Sequence, residues 1–346
     1  MNISNCRTCK STDLIKAFDL GKQKLTGIFP KSKNEKVPSG SLAMTFCNNC
    51  KLLQLENSFN PDVMYGENYG YMSSLNKSMV NHLKKKANKL KKLLNLNNNC
   101  TVIDIGSNDG TFLNFFSNKV KLIGVDPTIK KLRKYYRKDI ECIPNYFSNE
   151  IFKNKTLKKV KLISSISMFY DLEDPCSFAQ DIFDILDKDG LWHLEQSYMP
   201  MMLKNNSYDT ICHEHLEYYS LTSVKYILDK VGLKIIDIEF NDINGGSFAL
   251  SVAKKKSSLK EEKKLINWLL AKEKVLKVNE SKTFINFFKK CKEQKKILVD
   301  LLKNLKDMKK KVYGYGASTK GNVILQFCKI DSKLINYIGE VNKYKF

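Results

Sequence analysis

The chain has 346 residues, enough for two or three domains, and a hydrophobic content of 42%, as ordinary packed cores require. Lysine and arginine number 59 against 36 aspartates and glutamates, a formal net charge of +23. Lysine supplies nearly all of that excess, and arginine, whose forks read phosphates and bases, is scarce, so charge alone does not make a nucleic-acid-binding protein. The N-terminus lacks a basic-then-apolar signal pattern and the sequence has no run of about 18 apolar residues, which excludes a helical membrane span, sets the expectation of a cytoplasmic protein and argues against a disulfide framework among the ten cysteines.

Residues 1–58 hold two knuckles, Cys6-Arg-Thr-Cys9 and Cys47-Asn-Asn-Cys50. Each places two thiolates on one metal, and the pair suits tetrahedral zinc. Four thiolates leave no open coordination position, so the expected site is structural. The intervening chain, with Gly21, Gly27, Pro30, Pro38 and Gly40, reads as short strands and turns. Residues 59–98 read as a connector. It carries Tyr65-Gly-Glu-Asn-Tyr69-Gly-Tyr71-Met-Ser-Ser74, then a basic amphipathic helix over 76–95 with Leu83, Ala87, Leu90 and Leu94 on one face.

Residues 99–253 alternate strands and helices. Strands are expected at Thr101–Gly106, Leu122–Asp126, Val160–Ser167 and Leu191–Glu195. Helices are expected from near Thr111 and from Pro175 to Leu186. This pattern predicts an α/β fold with a doubly wound parallel sheet, which binds ligands beyond the carboxyl ends of its strands. The turn Gly106-Ser-Asn-Asp-Gly110 brings backbone close to a ligand, and Asp126, about 20 residues on, is placed for ribose hydroxyls. A single glycine before Ser-Asn-Asp-Gly fits adenosylmethionine better than a dinucleotide pyrophosphate. Acids Asp104 and Asp109 would face its cationic sulfonium.

Two of the four histidines, His213 and His215, flank Glu214, with Tyr218 and Tyr219 just after. An imidazole beside a carboxylate suits proton abstraction near neutral pH. The other reading of this stretch is a surface strand or turn with incidental histidines. Residues 254–310 read as one or two long connecting helices. From 311 onward a strand-turn-helix through Gly314, Gly316 and Gly321 offers backbone amides to an anion, and Lys320 a point charge to a phosphate. One βαβ unit cannot bury both faces of its sheet, so this partial Rossmann-like unit is expected to be incomplete or to dock on something else.

Taken in order, the knuckle pair, Tyr-x-Tyr-x-Ser-Ser, Ile-Gly-Ser-Asn-Asp-Gly, Gly-Val-Asp-Pro, His-Glu-His-Leu-x-Tyr, Gly-Gly-Ser and Gly-Tyr-Gly-Ala-x-x-Lys-Gly resemble the adenosylmethionine-dependent sugar C-methyltransferases that act on nucleotide-linked 4-keto-6-deoxyhexoses. The resemblance spans essentially the whole chain. It implies an N-terminal zinc domain, a central class I methyltransferase domain and a C-terminal Rossmann-like domain, here shortened. It also implies that His215 removes the proton next to the ketone, that Glu214 orients His215, and that Tyr71 hydrogen-bonds near the ketone. Asp104, Gly106, Ser107, Asn108 and Asp126 would hold adenosylmethionine. Asn244, Gly245, Ser247 and Lys320 would face the sugar nucleotide, and Cys6, Cys9, Cys47 and Cys50 the zinc. Two positions depart from the family: Cys212 stands where members carry Tyr, and Asp171 where they carry His. Cys212 is equally a small buried hydrophobe, and Asp171 equally a helix N-cap. Methyl transfer to a sugar oxygen or nitrogen, a non-catalytic cofactor-binding protein and a zinc protein acting on RNA are the alternative readings.

Overall fold

Strand-length apolar runs bounded by glycine and asparagine after residue 99 fold into the largest of three sheets among the described residues. The structure is a computed structural model that describes residues 2–32, 34–65, 70–155, 157, 159–340 and 342. Its strands, in chain order, begin with β1 (Leu14–Lys24), β2 (Ser39–Cys47) and β3 (Leu53–Leu55). Next come β4 (Cys100–Ile105), β5 (Lys121–Val125), β6 (Ile140–Ile143), β7 (Lys159–Ile166) and β8 (Leu191–Ser197). The last are β9 (Glu217–Tyr218), β10 (Leu233–Asn241), β11 (Ser247–Lys254), β12 (Tyr313–Tyr315) and β13 (Tyr337–Gly339). The chain groups into two compact units.

One unit comprises residues 71–197 and 223–271. Its seven strands run in the order β10-β11-β8-β7-β4-β5-β6. β4 to β8 are mutually parallel and β11 runs antiparallel to both neighbours. Strand order reverses between β4 and β7, the crevice where doubly wound sheets take ligands. Every residue of β4 is buried, as a central parallel strand covered on both faces must be. The helix Lys77–Leu93 starts at an Asn76 cap, and Leu83, Ala87 and Leu90 with Leu94 beyond its end pack into the core with Val102, Phe112, Leu113 and Leu122. The helix expected from Thr111 is only a 3-10 turn, Leu113–Phe115, because Ser117 to Val120 must already lead into β5. Helix Pro175–Ile185 is capped by Asp174, which accepts from Ser177 N at 3.0 Å, so the capping role weighed for Asp171 belongs three residues later.

The other unit comprises residues 2–70, 198–222 and 272–342 within the described range. Its antiparallel sheet runs β1-β2-β3-β9, and β9 brings the His-Glu-His stretch onto the sheet that carries the cysteine knuckles. Phe18, Met44, Phe46, Leu53 and Leu55 from the sheet pack with Phe284, Phe287 and Cys291 of the long helix Ser281–Asp307, and with Ile211, Cys212 and Leu216. The expected βαβ element is present: β12 and β13 pair in parallel, joined by the helix Thr319–Cys328. No helix among the described residues is long and apolar enough to cross a membrane.

Candidate functional site

The knuckles fold as the spacing requires. The four sulfurs of Cys6, Cys9, Cys47 and Cys50 all lie within 4.8 Å of one another, with Cys6–Cys50 and Cys9–Cys47 at 3.5 Å. A tetrahedral zinc with bonds of about 2.3 Å places its sulfurs roughly 3.8 Å apart, so the donor set fits. The shared proton between Cys50 and Cys6 pushes the Cys6 thiol down to about 5, while burial raises Cys47 to about 11. Arg7, inside the first knuckle and only 2% exposed, pins it to β3: its guanidinium donates to Leu55 O at 2.6 Å and to Ser58 Oγ at 2.9 Å. Nothing in the Cys-x-x-Cys spacing marks that role.

In the same unit, His213, Glu214 and His215 follow one another but serve three different arrangements. His213 is 1% exposed. The Thr26 amide donates to its Nδ1 at 3.2 Å, so its Nε2 carries the proton and donates to Gly40 O at 3.2 Å. Phe59 meets the ring edge-on at 4.8 Å, and burial pushes its pKa down to about 4. His213 is therefore a neutral clamp. His215 Nδ1 lies 3.0 Å from the Thr210 carbonyl, which can only accept, so Nδ1 donates and Nε2 holds the lone pair. Burial, then the Lys320 charge, push His215 down to about 4, which keeps the ring neutral at neutral pH. The Thr210 carbonyl thus fixes the ring at Nδ1, a group the sequence did not single out beside Glu214.

The Glu214 carboxylate accepts from Thr26 Oγ1 and Thr319 Oγ1, each at 3.5 Å, with the Cys212 thiol also hydrogen-bonded to it. Burial raises its pKa. Cys212 is itself 1% exposed within the apolar core, combining the small-hydrophobe reading with a polar contact. Lys320 sits in the first turn of its helix, its pKa lowered by burial and drawn back up by Asp209 and Cys212.

The other unit presents the glycine turn after β4. Gly106 has φ +69°, a conformation that only glycine adopts freely, and an added Cβ would meet Met168 Cγ at 2.9 Å. Asn108 N donates to Asp126 Oδ2 at 2.8 Å, and Asp126 Oδ1 holds Thr128 N at 2.7 Å. Ser107 Oγ lies 2.7 Å from the Tyr136 hydroxyl, which donates to Asn108 O. Asn108 Oδ1 and Asp109 Oδ2 accept from Ser73 N and Ser74 N, and Asn108 Nδ2 donates to Tyr71 O at 3.2 Å. The tyrosine motif is thus laced to the turn through its main chain. Tyr71 is 44% exposed, and Tyr69 lies outside the described residues. Asp104 is 4% exposed and accepts from Ser164 Oγ at 2.6 Å. Burial, with Asp126 and Asp109 nearby, raises it to about 7. Three buried acids, Asp104 in β4, Asp109 in the turn and Asp126 after β5, suit a cationic ligand, and the residues fit adenosylmethionine. Asn244 Nδ2 reaches Ser167 Oγ at 3.5 Å, and Ser247 Oγ donates to Ile243 O at 2.8 Å, so both predicted sugar-facing side chains brace the turn before β11.

Three family models match in succession: a zinc-binding domain over residues 6–65, a methyltransferase domain over 79–238 and a C-methyltransferase C-terminal domain over 242–346. The chain is 26% identical over 350 residues to the C-methyltransferase NovU of Streptomyces niveus, covering 99% of this chain and 82% of that protein. Among solved structures, a complex of the Haloferax volcanii Trm112 methyltransferase activator with a methyltransferase is 15% identical, covering 51% of this chain and 93% of that one, with a TM-score of 0.41. The plantazolicin methyltransferase BpumL with SAH is 11% identical, covering 50% and 82%, with a TM-score of 0.39. These structural likenesses are too distant to bear on the chemistry.

Proposed function

We propose that this chain, which belongs to the adenosylmethionine-dependent C-methyltransferases built of a zinc-binding, a methyltransferase and a C-terminal domain, methylates the carbon next to the ketone of a nucleotide-linked keto-deoxy sugar. The observation that carries this reading is the tautomer of His215. With Nδ1–H committed to Thr210 O, Nε2 is a neutral base. A carbon made acidic by a neighbouring carbonyl needs such a base before it can take a methyl group; a hydroxyl can use one as well, so the choice of carbon is supported by the C-methyltransferase matches. His215 Nε2 takes that proton, and the electron pair of the C–H bond moves into the enolate, whose carbon is the nucleophile. Adenosylmethionine, when bound by Asp104, Gly106, Ser107, Asn108 and Asp126, supplies an electrophilic methyl. Tyr71, on the segment laced to that turn, donates toward the ketone oxygen. The turn at Gly245 that Asn244 and Ser247 brace faces the acceptor, and Lys320 provides positive charge for a phosphate. Cytoplasmic nucleotide sugars are the acceptors this assignment requires. The zinc cluster, with four thiolates, takes no part in the chemistry.

The test is the position of the new methyl. With 13C-methyl-labelled adenosylmethionine and a 4-keto sugar nucleotide, the product should show the label coupled to a ring carbon. A label on nitrogen by its 13C shift, or on oxygen and removed under ether-cleaving conditions, would contradict the proposal and favour heteroatom transfer.

A further inference from the structure

Glu214 is held from a place in the chain that the methyltransferase motifs do not touch. Thr26 and Gly27 lie in the turn between β1 and β2. Thr26 is fully buried, and its groups serve three partners: the amide donates to His213 Nδ1, the hydroxyl reaches Glu214 Oε2, and the carbonyl accepts from Asn322 Nδ2 at 2.8 Å. The Glu214 carboxylate lies directly over Gly27. A Cβ at residue 27 would stand 1.7 Å from Glu214 Oε1 and 2.8 Å from Glu214 Cδ. No other residue type leaves that space open. The backbone of Gly27 does not need a left-handed φ, so the requirement is for room and not for conformation.

We infer that the Thr26–Gly27 turn is a positioning element for the reaction, setting the Glu214 carboxylate through an absent side chain and a hydroxyl. The inference rests on the proposed function for the rate it affects, with Glu214 as the carboxylate that the family resemblance places beside the base His215. The atom that a methyl at residue 27 would strike is the free end of a side chain, which can swing away at little cost to folding. Ordinary contact distances require the carboxylate to retreat by roughly 1.5 Å, and a misplacement of about 1 Å in a group that positions the reacting atoms can cost a hundredfold in rate. The signature is therefore a loss of turnover without a matching loss of stability.

The experiment is a cycle of Gly27→Ala and Glu214→Ala, with Thr26→Val and Thr26→Ser alongside. Each is read by kcat and KM for methyl transfer, by thermal midpoint and by zinc content. Gly27→Ala and Thr26→Val should lower kcat at least tenfold, with KM, midpoint and zinc near wild type, and Thr26→Ser should restore most of the loss. In the Glu214→Ala background, Gly27→Ala should add nothing, because the clashing group is gone. Independent, multiplying losses in the double variant would overturn the inference, as would wild-type kcat in Gly27→Ala. A crystal structure of Gly27→Ala adds a test that needs no substrate. A displaced carboxylate supports the inference, and an unmoved one with a shifted backbone overturns it. Wild-type enzyme inert on every keto sugar counts against the proposed function alone, and the crystal structure still decides the inference.

Discussion

Replacing Lys86 by Met should destabilise the unit of residues 71–197 and 223–271 more than any surface charge change, because of what it leaves behind. The Glu195 side chain is 0% exposed. It accepts from His82 Nε2 at 2.6 Å, Lys86 Nζ at 3.0 Å and Asn241 Nδ2 at 3.0 Å. Burial pushes the Glu195 pKa up, but His82 and Lys86 together hold it below the ordinary carboxylate range. Lys86, 8% exposed, also meets Glu239 at 2.5 Å. Removing one partner of a buried ion pair costs about 3–5 kcal/mol. His82 and Asn241 remain on Glu195, and Glu239 keeps Lys89, which puts the expected loss at the lower end, about 3 kcal/mol. For a unit of this size that corresponds to a midpoint about 6–12 °C lower. Calorimetry and urea unfolding of the intact chain measure it. A second substitution, Glu195→Leu, should recover part of the loss by removing the stranded charge. A Lys86→Met protein within about 1 kcal/mol of wild type would refute the reasoning, since it would mean that water screens the pair.

Metal analysis should give about one zinc per chain, and a strong chelator should unfold the unit that carries the knuckles; a metal-free chain with an unchanged unfolding curve would contradict the cysteine assignment. His193, His213 and His215 are each pushed down to about 4 by burial. The unfolded chain takes up their protons near pH 6.5 and the folded chain does not. Their contribution is therefore full above pH 6.5 and is lost as pH falls toward 4. A urea midpoint no lower at pH 5 than at pH 7.5 would contradict that burial. Asp104, raised to about 7, should give up its proton when a cation binds beside it, so adenosylmethionine affinity should rise as pH climbs through 7. Titration calorimetry in buffers of different ionisation heat measures the released proton, and Asp104→Asn should abolish the release.

The sequence carried what depends on neighbours along the chain. Cys6, Cys9, Cys47 and Cys50 converge because each knuckle fixes its own pair, and the face of Leu83, Ala87 and Leu90 is buried because helical period decides it. The Gly106–Gly110 turn lies at the strand-order reversal because alternation of strands and helices leaves few other topologies. What the sequence did not carry is long-range. Thr26 reaches His213 across 187 positions, and Thr319 reaches Glu214 across 105. No periodicity encodes such contacts. The role of Thr210 was hidden for a different reason: a main-chain carbonyl orients His215, and any residue type supplies one. For the same reason the placement of residues 198–222 with the cysteine-bearing unit was not legible, since it depends on the two-residue pairing of β9 with β3.

The central claim is that His215 Nε2 removes a proton from a carbon beside a ketone. Solvent-deuterium wash-in into a 4-keto sugar nucleotide, followed by proton NMR, tests it most directly. Wild-type protein should exchange the proton next to the ketone, and His215→Asn should slow that exchange by at least about a hundredfold, the low end of what a general base contributes. Exchange at the wild-type rate in the folded, zinc-loaded His215→Asn protein would contradict it.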